Sequence, residues 1–201
     1  MQALDGTARQ RIDITITGRD DTVVQYASAV LGVSSQGKDP ISDQFKRWYA
    51  SQALGAPDTA LYDIDTAWSP RRRNSDGSNG VLFDEYIELG YSRSVQATGV
   101  RIHETTGFGF VREVWGILET RDAKGQKVYE KLWSGNDTAA SNNGVLEISF
   151  AASQGLINGL LIMADIDHSS DWESIDAVEL IGTARPTTCL LYTSDAADDT
   201  P

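Results

Sequence analysis

EYIELGYSRSVQATGVRIHET, residues 85–105, is the stretch on which the fold turns. It reads as two short strands, EYIELGY (85–91) and ATGVRIHET (97–105), because β-branched and aromatic residues favour a pleated, half-buried backbone. Similar stretches lie on both sides. Upstream is VVQYASAVLGVSS (23–35); downstream are FVREVWGILET (110–120), KVYEKLWSG (127–135), GVLEISF (144–150), LINGLLIMADID (156–167) and SIDAVELIG (174–182). Between them, NSDGSNG (74–80), DAKGQK (122–127) and NDTAASNNG (136–144) supply the Gly, Asn and Asp that tight turns need. Short strands recurring between such turns predict an all-β sandwich or barrel. One short helix is expected in ISDQFKRWYASQALG (41–55). Ser42 or Asp43 would cap it, Phe45 and Tyr49 would share a face, and Gly55 would stop it.

Composition narrows the function. The formal net charge is −12; the tail aspartates Asp195, Asp198 and Asp199 account for three of those charges, leaving nine on residues 1–188. That balance argues against nucleic acid or an anionic membrane as the main partner. Cys189 is the one cysteine, so no disulfide framework exists, and two histidines make a His-rich zinc site improbable. No run of 18 apolar residues is present, so no membrane insertion is expected. No nucleophile elbow, phosphate loop or metalloprotease helix motif occurs, and the chain is read as no enzyme. An acidic, nearly cysteine-free chain suits an extracellular or cell-surface location, although no signal peptide is visible.

The two ends read differently from the middle. DGTARQRIDITITGRDD (5–21) alternates Ile12, Ile14 and Ile16 with polar residues, one strand that cannot fold without a partner sheet. It resembles the closing strand of cadherin-like or VCBS-type repeats, which implies that residues 1–21 end an upstream module, with Asp20 and Asp21 in the linker. The alternative is a strand of the main domain. At the other end, CLLYTSDAAD (189–198) resembles a translated sequencing-library adapter, which sets residues 189–201 apart as a tail and leaves 22–188 as the domain.

Within that domain the order of motifs resembles the discoidin-like, galactose-binding-like jelly rolls. DIDTAWSP (63–70) carries Thr66 and Trp68 as a Thr-x-Trp element, and YIELGY and ATGVRIHET follow. ALGAPD (53–58), Leu132 to Asp137 and a closing Asp165 to Gly182 with His168, Trp172 and Glu173 are similar to the scarf-like sandwich of pappalysin-type proteins. The resemblance implies an antiparallel jelly roll used as a recognition module. It also implies a structural calcium held by Asp58 and Thr66 with Glu179 on the last strand; the alternative is a set of solvated acids. The acids of 165–179 open with Asp-x-Asp but lack the glycine and spacing of a helical-loop calcium site.

Candidate ligand contacts are aromatic and basic. Trp68, Trp133 and Trp172 lie beside turns and could stack on sugar rings, with Trp68 expected inside. Phe108, flanked by glycines in TTGFGF, and Tyr62 are the better surface candidates. Arg71, Arg72 and Arg73 could grip an acidic glycan through bidentate forks or remain solvated. Two readings stay open: a module binding a glycan or cell-surface glycoconjugate, and a structural or protein-interaction spacer packed against neighbouring domains.

Overall fold

The computed structural model describes residues 21–37, 47–62, 65–70, 85–165 and 172–184. It has eight strands: β1 (Thr22–Tyr26), β2 (Ala29–Val33), β3 (Glu85–Thr106), β4 (Val111–Arg121), β5 (Lys127–Ser134), β6 (Val145–Ser149), β7 (Leu156–Ala164) and β8 (Ser174–Ala184). All the strand pairs are antiparallel. The described residues form an all-β, antiparallel sandwich.

β3 makes the sandwich. Its first half pairs with β2 and β7, and β4 and β5 continue that layer. Its second half pairs with β8 and β6, and β1 completes the other layer. The register breaks between Gly90 and Val95, where the strand passes from one layer to the other. The two stretches read as separate strands are therefore one continuous strand serving both sheets. Upstream the opposite happens: the stretch read as one strand is split at Ala27–Ser28, sending β1 to β8 and β2 to β3.

Alternation explains the core. Val100 and Ile102 face Leu146, Ile148, Val178 and Leu180, all buried, while Arg101 and His103 point outward. Ile87 and Leu89 meet Leu160 and Ile162 in the other layer, and Trp68 and Phe110 fill the space between. Each such fully buried side chain contributes about 1.5–3 kcal/mol.

The expected helix is described only from Arg47 onward. Its capping residues Ser42 and Asp43 and its Phe45 lie outside the described residues. In the part described, Trp48 has φ 63° and Tyr49 is extended, and a single 3-10 turn follows at Ala50–Ala53. A bridge from Trp48 to Trp68 holds this backbone straight where helix propensity would have wound it. Residues 1–20 and the tail from Cys189 to Pro201 also lie outside the described residues.

Candidate functional site

Long connections gather at one end of the sandwich. β2 ends there and β3 begins; the links β3–β4, β5–β6 and β7–β8 also lie there, as the registers Val33↔Ile87, Val111↔Ala164, Thr106↔Ser174 and His103↔Val145 require. The described chain ends, Thr22 and Thr183, pair at the opposite end.

Tyr62 and Phe108, far apart in sequence, meet at the long-loop end. Their rings stand edge to face with centroids 5.7 Å apart. Tyr62 is 67% exposed and has φ 70°. Its backbone N–H donates to Thr105 O at 2.7 Å, and its hydroxyl to Ser141 O at 3.4 Å. Phe108 is half-buried between Gly107 (φ 71°) and Gly109 (φ 92°). Gly107 has no room for a side chain, since a Cβ would sit 2.7 Å from Trp172 O.

Glu104, which is buried, and Asp137, which is half-buried, form a carboxyl pair beside this loop. Glu104 is 1% exposed, and its Oε2 accepts the Gly109 N–H at 2.9 Å. Burial first, then hydrogen bonding and repulsion from Asp137, push its pKa up to about 10. Glu104 is thus neutral at pH 7. Its Oε1 accepts from no donor, and a proton there finds Asp137 as acceptor. Asp137 in turn accepts the N–H groups of Val111 at 2.9 Å and Ala139 at 2.8 Å. The pair ties the β3–β4 and β5–β6 loops together.

The residues expected to hold calcium separate into two places. The N–H groups of Asp58 and Thr59 donate to Asp176 Oδ2 at 3.0 and 3.2 Å, and Thr59 Oγ1 lies 2.5 Å from Thr66 Oγ1. Asp58 and Thr59 therefore hold Asp176 on β8, and Thr66 joins them through Thr59. Glu179, three residues on, is engaged elsewhere: Arg101 Nη1 lies 3.0 Å and His103 Nε2 2.9 Å from its carboxylate. Burial raises the Glu179 pKa, but the bonds to His103 and Arg101 outweigh it and the net shift is downward. Asp176 shifts upward: burial dominates, with the Asp58 charge adding, against bonds from Thr59 and Asp58 that lower it. Asp176 Oδ1 is buried with no hydrogen-bond partner. Among the described residues no three His, Cys, Asp or Glu side chains converge as a metal group. The Asp176 site offers two carboxylates with the hydroxyls of Thr59 and Thr66.

The tryptophans are structural. Trp68 is fully buried, its Nε1 donating to Ser35 O at 3.1 Å; Trp133 packs on the core; and Trp172 stacks on Trp48 at 5.7 Å with planes 14° apart. Arg71, Arg72, Arg73 and His168 lie outside the described residues. Sequence reasoning missed Asp176 and Glu104. Asp176 stands in the acidic run 165–179 with nothing in the pattern to single it out, and Glu104 falls by alternation on the inward face of Val100 and Ile102, where a carboxyl is not expected.

No protein-family model matches the chain, and no curated protein matches it in sequence. Solved structures share its fold. CBM32-3 from a family 31 glycoside hydrolase of Clostridium perfringens superposes with a TM-score of 0.51 at 10% identity, covering 78% of this chain and 90% of that one. XRCC1, in its reduced form bound to the DNA polymerase beta catalytic domain, superposes with a TM-score of 0.52 at 18% identity, covering 79% of this chain and 99% of that one. At these identities the likeness establishes the discoidin-like, galactose-binding-like architecture.

Proposed function

We propose that the chain is a non-catalytic recognition module of a larger secreted or surface protein, binding carbohydrate at the long-loop end of its sandwich. The observation that carries this reading is Tyr62, two-thirds exposed and braced edge-on by Phe108. An aromatic face held at a fixed angle suits the apolar face of a pyranose and costs little ordering on binding. The fold shared with a CBM supports the reading. Arg71, Arg72 and Arg73 follow Pro70, which is described at this same end, and would add contacts to an acidic glycan. Residues 1–21 are read as the last strand of an upstream repeat, and the sandwich as the scarf-like type. A glycan array probed with the full chain tests the proposal: saturable binding to a defined sugar, lost in Tyr62→Ala, is expected. A blank array overturns it and leaves the spacer packed against neighbouring domains.

A structural calcium belongs to this proposal, with Asp58, Thr66 and Asp176 as its holders in place of Glu179. The unpartnered, buried Asp176 Oδ1 fits a cation, and oxygen donors suit calcium. When bound, the ion would neutralise the two carboxylates and pin the loop 58–66 to β8. Binding to the folded state alone stabilises by about 2.7 kcal/mol at a hundredfold excess over Kd. Calcium should therefore raise the Tm relative to chelator, and Asp176→Asn should abolish the difference. Glu179→Gln should lower the Tm equally with and without calcium. Superimposable melts of the wild-type chain would remove the ion from the proposal.

A further inference from the structure

The outer face of the sheet formed by β1, β8, β3 and β6 holds a cluster that the loop-end site does not use. Tyr26, Glu179, Arg101 and Glu147 are register partners in turn, so they form one row across four strands. The row is pre-ordered. Arg101 Nε donates to Glu147 Oε1 at 2.9 Å and Nη1 to Glu179 Oε2 at 3.0 Å, while His103 and the Tyr26 hydroxyl also bond Glu179. The Glu179 side chain is 7% exposed and that of Glu147 69%. The β5–β6 loop rises beside the row. Thr138 and Asn143 from that loop, with Val145, complete a cleft of about 610 Å³. That volume lies within the ~300–1,000 Å³ usual for small-molecule sites.

The charges restrict what could enter. Two carboxylates flank the one guanidinium, so the cleft carries no positive excess, and a sulfate, phosphate or carboxylate would meet Glu147 and Glu179 at close range. The lining alternates donors and acceptors, the pattern that hydroxyl groups complement. The same loop also supports the aromatic pair. Tyr62 donates to Ser141 O, and a Cβ on Gly144 would lie 2.5 Å from Leu61 and 3.3 Å from Phe108. The cleft and the aromatic pair are therefore adjacent, on two sides of residues 138–144.

We propose that the cleft is a second saccharide subsite, taking an uncharged or amino-bearing sugar unit of a chain whose neighbouring unit rests on Tyr62 and Phe108. The proposal rests on the carbohydrate reading of the loop end and extends it to chain length and charge class. The test titrates the ¹⁵N-labelled full chain with galactose, lacto-N-neotetraose, chitotetraose and 3′-sialyllactose. At least one neutral tetrasaccharide should shift the amides of Arg101, Val145 and Glu147 as well as that of Phe108. It should bind about fivefold or more tightly than galactose, a difference of roughly 1 kcal/mol. Glu147→Ala, at an exposed position, should erase that advantage without changing the Tm or the response to galactose. Tetrasaccharide binding no tighter than galactose, with shifts confined to Tyr62 and Phe108, would overturn the subsite and leave the carbohydrate reading standing. An unaltered tetrasaccharide affinity in Glu147→Ala would do the same. No shift with any of the four sugars would overturn both.

Discussion

The two ends of the sandwich solve the same problem, turning the chain back into the sheet, by opposite means. At the short-turn end, Asp122 Oδ1 accepts the N–H groups of Lys124 at 2.8 Å and Gln126 at 2.7 Å, and Gly125 takes φ 77° with open space where a Cβ would be. Ser153 does a similar job after β6, accepting from Ala97 N–H and donating to Gly155 O. The first turn is satisfied by its own residues, and the second by its own Gly155 O together with β3 and the Glu130 carboxylate on β5. At the long-loop end, Trp48 Nε1, Thr105 Oγ1 and Asp176 Oδ1 are buried without a hydrogen-bond partner among the described residues. Both non-glycine residues with positive φ among the described residues, Trp48 and Tyr62, are there too. Strain and unmet polarity persist only where surrounding structure enforces them, and they mark places kept for something other than stability.

The sharpest way to test that contrast is pH. Glu104 titrates at about 10 in the folded protein and near 4.5 when unfolded. The folded state therefore holds a proton that the unfolded chain releases, so this contribution is fully present below about pH 4.5 and is lost as pH rises toward 10. The loss approaches about 1.4 kcal/mol per pH unit across that window. Glu104→Gln keeps the hydrogen-bonding shape without the proton requirement. It should unfold at higher denaturant than wild type at pH 8–9, with the gap closing by pH 5; parallel pH profiles would mean that Glu104 is charged in the folded state.

Next in size are the glycines. Gly144 has φ 62°, and a Cβ there would collide with Glu104 O and Leu61. Gly144→Ala should cost about 2–4 kcal/mol by denaturant titration, combining backbone strain with overpacking. Gly125→Ala meets the same φ penalty but no neighbours and should cost about 1 kcal/mol. Equal losses would erase the distinction between the two ends.

Smaller effects separate binding from folding. Tyr62→Ala removes an exposed ring and should change stability by only about 0.5 kcal/mol, while sugar binding on the array disappears. Asp122→Ala removes two side-chain bonds from a solvated turn and should cost about 0.5–1 kcal/mol with binding untouched. A reversal, with Asp122 affecting binding and Tyr62 only stability, would move the site to the other end.

Residue order by itself determined the all-β class and the turns at Asp122–Gln126 and Asn136–Gly144. These depend on period-two patterning and on Gly, Asn and Asp at turns, which act over a few residues. Tertiary structure decided what depends on distant partners. Residues 85–105 became one strand because both sheets need it as a central member. After Arg47 the helix shrank to the 3-10 turn Ala50–Ala53, as Trp48 bridges to Trp68. Asp58 and Thr66 found Asp176, while Glu179, nearby in the chain, points to the outer face and is held by Arg101 and His103. A shift of one residue in a strand exchanges core for surface, and that register is set by pairing across the sheet, which local pattern does not encode.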